Sequence, residues 1–122
     1  MRGIIFEGDG RMRVETVPDP AIAQPDDAIV RVTKAGICGS DLHILNHGEA
    51  FGFHQGCRVG HEFVGVVEAV GADVTHLAPG DKVCSPFWIS CGNCHFCRKG
   101  LQTSCVHGGS FGFQTFWPGG GD

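Results

Sequence analysis

Four cysteines crowd one short stretch of the chain, Cys91, Cys94, Cys97 and Cys105, with the spacing Cys-x2-Cys-x2-Cys-x7-Cys. Two-residue gaps let neighbouring thiolates converge on one ion, and four thiolates complete the tetrahedral shell that structural zinc prefers. The stretch carries few bulky apolar side chains, Phe96 and Leu101. Metal binding must therefore replace burial in ordering it. Gly92 and Gly100 let the backbone wrap, and Arg98 and Lys99 offset the negative charge of a zinc tetrathiolate. Paired disulfides and a four-cysteine iron–sulfur cluster are the alternatives that spacing leaves open. The chain has 7 cysteines, an odd number, and its start, Met1-Arg2-Gly3-Ile4-Ile5-Phe6-Glu7, is charged too early for a signal peptide. A reducing cytoplasm and a metal follow from that reading.

The rest of the chain is written in short strands and turns. Gly3–Phe6 and Met12–Thr16 predict a hairpin over residues 1–16, with Gly8-Asp9-Gly10 as the turn. Residues 17–25 hold Pro18, Pro20 and Pro25 and read as an extended loop. Ala28–Ala35 alternates apolar and polar residues, as a half-buried strand does. After Gly39, Ser40–Leu45 predicts a short helix capped by Ser40 or Asp41. A loop rich in Gly and His runs to Val59, and Phe63–Val70 is the strongest strand. Pro79-Gly80-Asp81 is a turn into a short strand, Lys82–Cys84. From Pro86 onward little regular structure is expected, and Pro118–Asp122 reads as loose. The 20 glycines among 122 residues, more than twice the roughly 7% of average usage, fit a turn-rich, mainly β fold. The length allows one domain with one modest core.

A net charge of −4 with no block of like charges argues against nucleic-acid or anionic-membrane partners, which want a basic surface. No stretch approaches the roughly 18 apolar residues of a membrane span.

A second candidate site pairs Cys38, at the end of one predicted strand, with His61, just before another. Each is flanked by glycine, and each has a carboxylate nearby, Asp41 or Glu62. Few ligands, close backbone approach and polar groups to orient them are what an open metal site needs. The run Gly60-His61-Glu62-x2-Gly65-x5-Gly71-x2-Val74 resembles the zinc-containing alcohol dehydrogenase signature. Gly36-Ile37-Cys38-Gly39-Ser40-Asp41-Leu42-His43 and the four-cysteine lobe follow that family in order and offset. The chain is thereby similar to the zinc-dependent medium-chain alcohol dehydrogenases, and most to the branch of threonine, sorbitol and polyol dehydrogenases.

That resemblance implies a GroES-like barrel with a short helix and a zinc-stapled loop lobe. Cys38 and His61 would be ligands of a catalytic zinc, with Glu62 a ligand in some states or a close neighbour of the ion. Ser40 matches the hydroxyl that hydrogen-bonds the substrate alcohol, and Asp41 would orient His61. His43 matches the histidine that passes the alcohol proton to solvent. Phe87 matches a position lining the substrate pocket. Cys91, Cys94, Cys97 and Cys105 would hold the structural zinc. The reaction implied is oxidation of a small alcohol, or reduction of a carbonyl, by hydride transfer with NAD or NADP. A homodimer or homotetramer is the implied assembly.

The family's third protein ligand to the catalytic zinc and its nucleotide-binding half are expected beyond residue 122, since no Gly-x-Gly-x-x-Gly occurs here. Residues 1–122 then read as the N-terminal catalytic part of a longer protein, with an incomplete barrel and no activity alone. The competing reading is a stand-alone zinc module with a binding or regulatory role. Cys84 is expected to be a small buried residue and Cys57 a loop cysteine. His47, His54, His76, His95 and His107 are expected on the surface or in loops.

Overall fold

The structure, a computed structural model, describes residues 1–112; the expectation for Pro118–Asp122 lies outside them. The hairpin forms as predicted, β1 (Arg2–Gly8) against β2 (Arg11–Thr16), with a register shift between Phe6 and Gly8 at the turn. A two-residue strand, β4 (Arg58–Val59), pairs with the other edge of β1, giving a sheet ordered β2-β1-β4. A second antiparallel sheet has β5 (Phe63–Val70) at its centre, between β3 (Ala28–Ala35) and β6 (Lys82–Ser85). Valine-rich β5 suits the central place because β-branched side chains pack well against strands on both sides. Gly65 in mid-strand permits close approach of β3. A Cβ there would stand 2.5 Å from Val30 Cγ1 and 2.6 Å from the Arg31 carbonyl oxygen.

The core lies between the first sheet and α1 (Gly39–His47). Phe6, Ile44, Phe53 and Cys57 are buried together, with Met12 and Val59 packed against them. The Phe6 and Phe53 rings meet edge-on at a centroid distance of 6.0 Å, a favoured aromatic geometry. Complete burial of a side chain the size of Phe6 is worth roughly 1.5–3 kcal/mol. Ile44, 3% exposed, is the side chain by which α1 plugs into this core.

Three expectations are corrected. The helix starts earlier than Ser40: its N-cap is Cys38, and Gly39 and Ser40 are already helical. Asp41 acts from the third helical position, its Oδ2 accepting the Cys38 N–H at 2.7 Å, the backward half of a capping box. Cys84 is exposed on β6, not buried; the buried loop cysteine is Cys57. Strand β3 is more open than its alternation suggests, with Val32 51% exposed.

Beyond β6 the chain is held by short pieces. Strands β7 (Trp88–Ile89) and β8 (Gly109–Ser110) pair as a base, Trp88 opposite Ser110. Between them hang a one-turn helix, α2 (His95–Arg98), and a 3₁₀ turn, Gln102–Ser104. Among the described residues the strands form three separate sheets, so the expected barrel is not closed within them.

Candidate metal centres

The register of β3 and β5 explains how Cys38 meets His61. Ala35 lies opposite Phe63 at the end of the ladder, and the Gly36 N–H donates to the Glu62 carbonyl at 2.9 Å, one rung further. Cys38 then comes two residues later along one chain, and His61 one residue earlier along the other. Strand β4 ends at Val59, so His61 also stands where the chain passes from the first sheet to the second. Pairing across two strand ends therefore brings together residues distant in sequence.

The ligand atoms of Cys38, His61 and Glu62 lie within 4.8 Å of one another. His61 is buried, Cys38 half-buried and Glu62 exposed. Both nitrogens of the His61 ring face groups of α1. Ser40 Oγ lies 3.1 Å from Nε2, and Asp41 Oδ1 lies 3.4 Å from Nδ1. That second separation is an ion-pair distance without hydrogen-bond alignment. A thiol, an imidazole and a carboxylate are the donor types that zinc takes in sites with an open position. The three expected ligands are thus brought together, with Ser40 and Asp41 beside them. His43 is exposed one helical turn further along α1. Phe87 is half exposed, its ring edge-on to Trp88 at 6.3 Å. Its carbonyl accepts the Phe111 N–H at 2.8 Å, and the Phe111 ring lies 5.4 Å from that of Phe63. Those contacts tie the base of the cysteine lobe to the strand that follows His61.

The lobe brings all four of its cysteines together. Sulfur–sulfur distances are 3.5 Å for Cys91–Cys105, 3.6 Å for Cys94–Cys97 and 3.9 Å for Cys94–Cys105. A tetrahedron with metal–sulfur bonds of about 2.3 Å has edges of about 3.8 Å, so the four sulfurs already outline a zinc shell. Disulfides, with sulfurs about 2.0 Å apart, do not describe these pairs, and all seven cysteines are free thiols. Backbone geometry prepares the anions. The Cys94 N–H points at Cys91 Sγ at 3.3 Å, and the Cys91 N–H at Cys105 Sγ at 3.4 Å. Backbone N–H groups of Asn93 and then Cys94 pull the Cys91 thiol below its usual value. Those of Cys97 and then Val106 lower Cys94 to about 6. Burial, and then the Cys94 thiol, push Cys97 up to about 11. Without a cation, then, the cluster cannot hold four thiolates near neutral pH. A dication bound among the sulfurs removes that conflict. Trp88 fastens the lobe from the side, its indole N–H donating to the Gln102 carbonyl at 3.0 Å.

Sequence comparison agrees with this geometry. Residues 24–121 match the alcohol dehydrogenase GroES-like domain family. The chain belongs to that family. It is 44% identical over 105 residues to a zinc-type alcohol dehydrogenase-like protein of Bacillus subtilis, covering 86% of this chain and 28% of that protein. An L-threonine 3-dehydrogenase of Solibacter usitatus is 40% identical over 95 residues, 76% of this chain and 28% of its own length. Among solved structures, an alcohol dehydrogenase from Thermus sp. ATN1 superposes with a TM-score of 0.87 at 45% identity, covering 99% of this chain and 35% of that one. The chain thus spans about a third or less of each of these relatives. The GroES-like, mainly β fold and the zinc-dehydrogenase resemblance read from the motifs are both borne out. Among the described residues no helix is long and apolar enough to cross a membrane. Histidines other than His61 add no further ligand cluster among the described residues, and His47, His54, His76, His95 and His107 are exposed as expected.

Sequence reading missed two features of the site. Cys38 is both ligand candidate and helix cap, which the spacing Cys38-x2-Asp41 signals as a capping box only if Cys is admitted at a position usually given to Ser or Thr. Phe111 and Trp88 as anchors of the lobe had no signal, because aromatic residues in loops carry no periodicity.

Proposed function

We propose that residues 1–122 form the N-terminal catalytic domain of a zinc-dependent dehydrogenase that interconverts a small alcohol and its carbonyl, using NAD or NADP held by a nucleotide-binding domain elsewhere in the intact protein. The observation carrying this reading is the convergence of Cys38, His61 and Glu62, with Ser40 and Asp41 against the two nitrogens of His61. The Cys91 lobe is read as a closed, structural zinc site. Cys38 and His61, with Glu62 as a further donor, are read as the open, catalytic one.

A zinc held by Cys38, His61 and Glu62 would supply charge that lowers the pKa of an alcohol oxygen toward neutrality, and a nicotinamide held elsewhere in the intact protein would take up the hydride. The chain's own residues do the rest. Ser40 Oγ, beside the ligand cluster, would accept the hydroxyl proton of the alcohol while giving up its own as the C–H bond breaks. His43, exposed on the same helix, passes that proton on to water. Asp41, 3.4 Å from Nδ1, would favour the tautomer that carries its proton there, leaving the nitrogen facing the cluster an electron-pair donor. Phe87 lines the apolar side of the substrate pocket. An alcohol thus loses one hydride and one proton and becomes a carbonyl.

The test uses the intact protein. Cys38→Ser and His61→Ala are expected to abolish alcohol-dependent NAD(P)H formation in protein that circular dichroism shows to be folded. Retained turnover in either variant would remove that residue from the catalytic centre. Small-molecule alcohols are the partners; a homodimer or homotetramer, in the cytoplasm, is the form in which the protein is expected to act.

A further inference from the structure

The Glu62 side chain lies across the bare α-carbon of Gly36. A Cβ on Gly36 would stand 2.6 Å from Glu62 Oε2, 3.4 Å from its Cβ and 3.7 Å from its Cδ. The first of these is well inside van der Waals contact. Gly36 is not among the glycines with positive φ, so its backbone would accept a side chain without strain. The Gly36 N–H, bonded to the Glu62 carbonyl at 2.9 Å, holds the two segments against each other. What the missing methyl leaves open is the path of one carboxylate. The carboxylate ends at the ligand cluster, where one of its oxygens stands within 4.8 Å of the donor atoms of Cys38 and His61.

The geometry points to Gly36 as a positioning residue that admits the Glu62 carboxylate to the Cys38–His61 centre. It rests on that centre being a metal site. An exposed glutamate has a long, flexible end, so turning it away costs the fold little. For the ion the same turn removes one of three donors and the negative charge that travels with it. Orienting contacts of this kind typically change metal affinity by 10- to 100-fold. Gly36 thereby sets how many ligands this stretch of chain offers, although it contributes no ligand atom.

A double-mutant cycle in the intact protein tests this, with cobalt(II) as the probe and zinc retained in the cysteine lobe. Gly36→Ala is expected to weaken cobalt binding at the open centre about tenfold and to alter its d–d absorption bands. In a Glu62→Ala background, Gly36→Ala should cause no further loss, since its effect runs through that carboxylate. Circular dichroism and undisturbed zinc in the lobe check that each variant is folded. Wild-type cobalt affinity and spectrum in folded Gly36→Ala would overturn the inference alone, as would an equal loss in the Glu62→Ala background. A wild-type protein that binds no second metal ion would instead overturn the catalytic-zinc reading, and the inference with it.

Discussion

Ser40 Oγ sits 3.1 Å from Nε2 of His61, on the ring edge opposite Asp41. The hydroxyl therefore stands at the nitrogen through which His61 would donate to a metal, next to where an alcohol oxygen would lie. Ser40→Ala is expected to lower kcat by 10²- to 10⁴-fold, the range for a group that moves a proton in the transition state. KM should change much less. Steady-state kinetics across pH provide the check, and wild-type turnover throughout would exclude Ser40 from the proton path.

Zinc uptake by the cysteine lobe should release protons. Near neutral pH the Cys94 thiol, lowered to about 6 by backbone N–H groups, is already ionised. Cys97, raised to about 11 by burial, still holds its proton, and a zinc ligand must lose it. Between those two values at least one proton leaves per zinc, and apparent affinity should rise at least tenfold per pH unit. Below about pH 6 the dependence should steepen, as Cys94 takes up a proton too. Calorimetry in buffers of different ionisation enthalpy measures the number released; zero at pH 7.5 would contradict the thiol assignment.

Cys97→Ser should cost the lobe its order as well as its metal, because few apolar side chains are buried there. Cobalt substitution of the wild type should give intense thiolate charge-transfer bands, weakened in the variant, and the variant should be cut by protease between positions 91 and 105. Unchanged bands together with unchanged protection would show that the lobe does not depend on that sulfur.

Native-state alkylation should separate the two remaining cysteines. Cys84, exposed on β6, should react quickly, whereas Cys57, fully buried beside Phe6 and Phe53, should react only through unfolding. Peptide mass spectrometry after brief treatment with a thiol reagent reads both. Equal rates would mean that the core opens far more readily than its packing implies.

The same core sets the cost of Phe6→Ala at about 3–5 kcal/mol, since the ring fills space that Ile44 and Phe53 cannot reach. A shift of less than 1 kcal/mol in denaturant unfolding would contradict its place at the centre.

Much of this was legible beforehand where local chemistry decides. The first hairpin follows from Gly8-Asp9-Gly10 between apolar runs, and the lobe from its cysteine spacing. The Cys38–His61 pairing was found through motif resemblance, since the register that creates it, Ala35 against Phe63, is a long-range choice no local pattern encodes. Helix α1 starts ahead of Ser40 because Asp41 caps from inside the helix rather than ahead of it. Cys84 departs from its expected burial because side chains alternate along β6, which leaves Val83 half-buried and turns Cys84 outward.

That register has an engineering consequence. The open centre is stored as a count of residues along two strands, measured from a shared rung, and not as one contiguous segment. Losing one residue between Ala35 and Cys38 would draw Cys38 toward the shared rung by about 3.3 Å. The cysteine lobe, hung on its own two-strand base, would keep its shape. Single-residue deletions between Ala35 and Cys38 should therefore yield folded proteins that keep the lobe's zinc and lose activity. Insertions of the same size between Ala72 and Ala78, downstream of the shared rung, leave that count untouched.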